Sequence, residues 1–432
     1  MKRIVCDFNK FTGKINPQHG AVNWPIGYVH AEGAPDSADC DRANEILREI
    51  NFPFTRLKEP YNRGYVKCLE IPFVFRDFSK DESDPKNYYF YNTTNFVKDA
   101  ANGKRKVMVR LGAPREYWKS RYNNKPTDYD KFARICRNVV RHINDGWANG
   151  IKAGVKYFEI WNRADDIKCW PDGSYEDYYR LYERVAREIK ELHPRLKVGG
   201  PAAAFCGGDN AFLKGFLDYV AKNNVPCDFV TWNYYGEDAA EAFRQAKEVR
   251  KLVRDAKLPK KVEIFNDEWS CITLDETGFV QAKNTRNEKG AAFDAAFLMQ
   301  MHKAKMDACH YYELNPGLPW GGLLGKAWKR PLKPIYAFLG FARLYALGQS
   351  VKTTTIGKNT YAMAAANGEK QALMISVTED KRNEVEINFA SSLERKIYIV
   401  DKENDFAEIM TTSEEKVTVK TKGHTVIFAQ TV

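Results

Sequence analysis

Short apolar strands alternate with longer amphipathic helices from Asn23 to Leu347, and their count of eight predicts a closed (β/α)8 barrel, the TIM-barrel architecture. Beyond Gly348 the pattern changes to short strands of alternating polarity, which predicts a small C-terminal β-sandwich. Length agrees, because 432 residues exceed one typical compact domain and suit a barrel plus a small second unit.

In chain order the predicted barrel strands are Ala21–Gly27, Phe54–Lys58, Lys106–Leu111, Tyr157–Trp161, Lys197–Gly200, Phe229–Asn233, Val262–Asn266 and Ala308–Glu313. Two helices between them are clear. After Asp128, the residues Phe132, Ile135, Cys136, Val139, Val140 and Ile143 recur at steps of three and four and form one buried stripe. A second helix starts after Ser174, which makes a capping pair with Asp177, and Pro194 stops it. Its stripe of Tyr178, Tyr182, Val185, Ile189 and Leu192 reads as core. In the C-terminal part, Leu373, Ile375 and Val377, then Val385, Ile387 and Phe389, then Ile397 and Ile399, then Val417 and Val419 alternate as strands do. The domains are therefore residues 1–14, an N-terminal strand outside the barrel count that joins the β domain; residues 15–348, the barrel; and residues 349–432, the β-sandwich.

The formal charge of +11 comes from Lys and Arg interspersed among 56 acidic residues, not from one basic block. That predicts a mildly cationic solvated surface that favours an anionic ligand, with no nucleic-acid partner. Met1–Lys10 lacks an apolar stretch of signal-peptide length and no apolar run could span a bilayer, so a soluble cytoplasmic chain without a membrane partner is expected, unless a leader was trimmed. The nine cysteines are scattered singly, which predicts reduced thiols. His19, His30 and His310 have no partners at ligand spacing, so no metal and no cofactor are expected. Self-association through the β domain stays open.

A parallel barrel delivers the last residues of every strand to one face, so polar groups there converge. The fourth strand ends Tyr157-Phe158-Glu159-Ile160-Trp161-Asn162-Arg163-Ala164-Asp165-Asp166, and the seventh ends Val262-Glu263-Ile264-Phe265-Asn266-Asp267-Glu268-Trp269-Ser270. Thr12-Gly13-Lys14-Ile15-Asn16-Pro17-Gln18-His19-Gly20 precedes the first strand, Arg110-Leu111-Gly112 closes the third, and Asp228-Phe229-Val230-Thr231-Trp232-Asn233-Tyr234-Tyr235 spans the sixth. Together these five motifs resemble glycoside hydrolase family 39 and related retaining barrel glycosidases, over roughly Lys10 to Leu347.

The resemblance implies a retaining glycosidase acting on a small carbohydrate, with two carboxyl groups about 5 Å apart. Glu268 matches the family's nucleophile, a reading that the flanking Trp269 favours over the alternative of an exposed loop acid near a strand end. Asp267 beside it is expected to point differently and to be structural. Tyr235 matches a residue that hydrogen-bonds the nucleophile, or is an ordinary core tyrosine. Asn162 keeps the family's asparagine. At the acid/base position the chain departs from the pattern, because Arg163 stands where relatives carry glutamate, and a guanidinium cannot exchange protons near neutral pH. Asp165 is the first substitute by position, against the alternative of a plain loop Asp; Glu59 and Glu116 are further acids on the same face. Arg56-Leu57-Lys58-Glu59 and Asn233 also depart from the family, whose usual residues are Arg then His-Asp, and His.

Arg56, Lys58 and Arg163 therefore either gather at one pocket and favour an anionic saccharide, or pair with Glu59, Glu159 or Glu268 and never meet ligand. Trp24, Trp161, Trp232, Trp269 and Trp320 fall at or past strand ends, where an indole can stack on a sugar ring, and Trp320 matches a tryptophan that relatives carry after the eighth strand. The second function class open to the chain is a carbohydrate-binding protein that kept the barrel and lost the chemistry.

Overall fold

The computed structural model describes residues 2–24, 38–58, 68–103, 105–113, 124–204, 206, 210–274, 280–314, 321–325 and 330–432, with backbone alone for 38–40. The barrel is closed. Its strands, first to eighth, are Gly20–Val22, Phe54–Leu57, Lys106–Leu111, Tyr157–Ile160, Lys197–Ala203, Phe229–Tyr235, Glu263–Ser270 and Ala308–Tyr311, each parallel to its neighbours. Two helices follow the physics of their sequences closely. Asp128 caps Tyr129–Asn144 by accepting from Lys131 N–H, and Ser174 with Asp177 forms a reciprocal capping box on Tyr175–Leu192.

The bottom of the barrel interior is filled by Phe54, Met108, Tyr157, Phe229, Phe265 and Ala308. Because side chains alternate along a strand, the next inward layer on the second, fourth and seventh strands is Arg56, Glu159 and Asp267. An aromatic plug thus floors a layer of charged residues, and the functional face lies above it.

The remaining strands form one nine-stranded sheet, in the order Asp405–Thr412, Arg395–Val400, Thr425–Thr431, Lys370–Val377, Thr360–Asn367, Gln349–Ile356, Lys2–Lys14, Asn383–Asn388 and Lys416–Thr421. All neighbours are antiparallel except Lys2–Lys14 with Asn383–Asn388. The sheet curls, so that Ile4 and Phe8, Val385 and Ile387, and Ile397 and Ile399 share one core. The two layers of the expected sandwich come from a single sheet closing over its own apolar face.

The sheet and the barrel share two helices. Glu288–Lys303 is buried continuously from Gly290 to Met301, and Ile335–Leu347 from Ile335 to Ala342, since each packs on both bodies. Ser376 Oγ donates to Ala292 O at 2.6 Å and fastens sheet to helix. Within this interface Asp294 is 1% exposed, and burial pushes its carboxyl well above the usual range. A raised carboxyl favours folding at low pH and loses that contribution as pH climbs above about 4, where the unfolded chain ionises. Asp294→Asn is therefore expected to be more stable than the parent at pH 7 by at least about 1 kcal/mol, the gap closing towards pH 4, in denaturant titrations at the two pH values. A gap that does not depend on pH would contradict this.

The eight described cysteines are free and buried. No described helix is long and apolar enough to cross a membrane.

Candidate active site

The site is built around a bulge. The sixth and seventh strands pair Trp232 with Asn266 and then Asn233 with Glu268, so Asp267 is an extra residue in the seventh strand. Two residues opposite one break the alternation, and consecutive acids reach the same guanidinium. Asp267 Oδ2 lies 3.0 Å from Arg56 Nη2, and Glu268 Oε1 lies 3.4 Å from Arg56 Nη1. Asp267, expected to point differently from Glu268, shares Arg56 with it through this bulge, which periodicity alone does not reveal.

Arg56 is wholly buried. Its Nε donates to Glu159 Oε2 at 2.7 Å and its Nη2 to Asn162 Oδ1 at 3.1 Å, with Glu159 Oε2 a further 2.5 Å contact of Nη2. Asp267 is pushed well above its usual range by burial, against the pull of Arg56 and with the push of Glu159 and Glu268.

Glu268 is 1% exposed and lies inside the strand, which removes the loop-acid reading. Its Oε1 accepts from Lys58 Nζ, and its Oε2 accepts from Arg163 Nη2 at 2.8 Å and from the Tyr235 hydroxyl at 3.1 Å. Burial would raise its pKa, but Lys58, Arg163 and Arg56 outweigh that and hold the carboxyl well below the usual range. Burial and the nearby Glu268 charge drive the Tyr235 phenol up, so it stays a neutral donor. Arg163 stacks over the Tyr235 ring at 4.9 Å, and Lys58 Nζ stands 4.8 Å from the Tyr312 ring centre. Both Trp161 and Arg163 adopt left-handed backbone, φ +66° and +53°, directly after the fourth strand. Such conformations cost about 1–3 kcal/mol each in non-glycine residues and concentrate where a side chain must be aimed. Here the turn aims Arg163 at Glu268, with Arg163 N–H donating to Ala202 O at 3.2 Å.

The other expected residues distribute unevenly. Asn233 Nδ2 donates to Ala202 O at 2.9 Å and Ala203 O at 3.2 Å, while its buried Oδ1 has no hydrogen bond. Asp165 accepts the Ala204 N–H on both oxygens, at 2.9 and 3.0 Å. The expectation of indole platforms is corrected for several tryptophans. Trp161, packed against Phe132 and Trp170, is 1% exposed; Trp232 and Trp269 are fully buried, the latter stacked on Phe297 at 3.9 Å. Trp232 has the parity opposite to Phe229 and Thr231 and belongs to the shell between barrel and helices. Trp24 is 6% exposed and tilts against Phe52. Trp320, Glu59 and Glu116 lie outside the described residues, as does His30. Sequence reading missed Asn23, whose Oδ1 accepts Lys58 N–H at 2.9 Å and whose buried Nδ2 has no hydrogen bond; its place at the end of the first strand was the available signal. Among the described residues no three His, Cys, Asp or Glu side chains stand together as metal ligands would.

The chain is an eight-stranded parallel barrel with a curled β domain, and it carries a buried carboxylate, Glu268, at the end of the seventh strand. Residues 105–313 match the model of glycosyl hydrolases family 39. A beta-xylosidase of Geobacillus stearothermophilus is 32% identical over 178 residues, which cover 36% of this chain and 34% of that protein. A beta-xylosidase of Caldicellulosiruptor saccharolyticus is 26% identical over 311 residues, 69% of this chain and 60% of that one. The match thus spans less than two thirds of either curated relative. The crystal structure of a glucosidase from Croceicoccus marinus superposes with a TM-score of 0.76 at 20% identity, covering 100% of this chain and 99% of that one, a likeness of fold.

Proposed function

We propose that the chain is a retaining glycosidase-type enzyme for a small, anionic saccharide, with Glu268 as nucleophile. The observation that carries this is the state of Glu268: ionised, oriented by Tyr235 and Arg56, and at a strand end within the segment that matches the family 39 model. An ionised carboxylate is what attack on an anomeric carbon needs. Because the matched relatives are beta-xylosidases, β-xylosides and their uronic counterparts are the first substrates to try. Arg163 and Lys58 supply the preference for negative charge, and the unpaired buried groups of Asn233 and Asn23 are suited to sugar hydroxyls.

The acid/base is non-standard. Asp165 serves as an acceptor of Ala204 N–H, so a proton-donating role requires it to leave that bond. A second reading, a saccharide-binding protein without turnover, is favoured by the 2.8 Å pair between Arg163 and Glu268, which occupies the nucleophile. Proton NMR of aryl β-xyloside and β-glucuronide hydrolysis separates the two. The enzyme reading predicts that the first sugar released has the substrate's anomeric configuration. Saturable binding with no release supports the second reading, and an inverted product rejects the double displacement.

A further inference from the structure

Charge conservation at Glu268 restricts what can leave the substrate. In an acid-assisted retaining reaction the nucleophile loses its charge as it becomes an ester, while the acid becomes a carboxylate, so the site's net charge is kept. Here a cation touches the nucleophile directly. Arg163 is 9% exposed, and Glu268 is its one carboxylate contact among the described residues. Its Nε is buried and has no hydrogen-bond partner among the described residues, so the guanidinium has donor capacity left in the site. Once Glu268 is an ester, Arg163 is a buried cation that has lost the carboxylate it touches and keeps only the more distant charge of Asp166, an unfavourable state unless another anion takes the vacated place.

Resting on the assignment of Glu268 as nucleophile, we infer that the leaving group departs as an oxyanion held by Arg163, and that the matching substrate class is a glycosyl ester of an oxyacid, with phosphate as the probe. The step balances without an acid. From the hydrogen-phosphate monoester, Glu268 Oε forms a bond to the anomeric carbon as the bond from that carbon to the phosphate oxygen breaks. The electron pair stays on the phosphate, which leaves as HPO4 with two negative charges, one more than it carried as the ester. The charge that Glu268 loses is the charge the phosphate gains, and no proton moves. In reverse, the phosphate dianion attacks the glycosyl-enzyme, needs no general base, and regenerates the carboxylate. Guanidinium is suited to both directions, since its planar fork binds phosphate oxygens in pairs and never releases a proton.

The test uses the full chain and a 2-deoxy-2-fluoro xylosyl or glucuronosyl fluoride, whose leaving group also needs no proton. After labelling, free enzyme is recovered in buffer alone, in methanol and in inorganic phosphate. The inference predicts saturable recovery in phosphate, at least tenfold faster than in buffer, with a 2-fluoro glycosyl phosphate as product, and no acceleration by methanol. In Arg163→Gln the saturation by phosphate is lost. Labelling with recovery that ignores phosphate, or phosphate acceleration that is equal in Arg163→Gln, overturns this inference and leaves the nucleophile assignment standing. Failure to label overturns both.

Discussion

Glu268→Gln is expected to abolish covalent turnover and to lower stability by about 3–5 kcal/mol, in contrast to the gain that often follows neutralisation of an active-site charge. The sign follows from the surroundings. Lys58, Arg163 and Arg56 have side chains 5%, 11% and 0% exposed, and all three contact the Glu268 carboxylate. Removing the anion leaves a cluster of buried cations facing a neutral amide, and breaking a buried pair from one side costs far more than replacing the pair as a whole. The pH dependence has a definite direction. Glu268 is held below its usual range in the fold, so its contribution is complete above the unfolded value of about 4.3 and is lost as pH falls below it. Denaturant unfolding should therefore show the largest gap between parent and variant near neutral pH, shrinking below pH 4. A variant as stable as the parent at pH 7 would show that the cage is not stabilised by the carboxylate.

Arg56→Met is the second large effect, a destabilisation of about 4 kcal/mol by the same measurement. Arg56 has no exposed surface and serves Glu159, Asp267, Glu268 and Asn162 at once. Its removal leaves the buried carboxyl groups of Glu159, Asp267 and Glu268 above an apolar floor that includes Phe54, Tyr157 and Phe265. Adding Glu159→Leu to Arg56→Met should restore part of the loss, since an apolar pair replaces a half-broken ionic one. Strictly additive losses in the double variant would mean that Arg56 and Glu159 do not depend on each other.

Much of the fold was legible because it is written in periodicities. Strands of four to eight apolar residues, the stripe from Phe132 to Ile143 and the Ser174–Asp177 cap all report local physics, and the structure follows them to within a few residues. The seventh strand runs on from the predicted Asn266 to Ser270, which is why Glu268 is buried. Less legible was anything set by parity and register. The bulge at Asp267 turns two neighbouring acids onto one arginine, and no alternation of polarity announces it. The tryptophans show the same limit, for a strand-end indole reads alike whether it faces ligand or, as Trp269 does, stacks between Phe297 and Phe338. The convergence of Arg56, Lys58 and Arg163 was readable from strand order, whereas the choice between meeting a ligand and pairing with Glu268 depended on a left-handed turn after the fourth strand.

The central claim, that the caged carboxylate of Glu268 attacks the anomeric carbon, is tested most directly by locating a covalent label. After treatment with the 2-fluoro glycosyl fluorides, peptide mass mapping is expected to place one glycosyl group on Glu268, and the label should be absent from Glu268→Gln. A label on any other residue, or an unlabelled parent under conditions where the saccharide saturates the protein, would contradict the account.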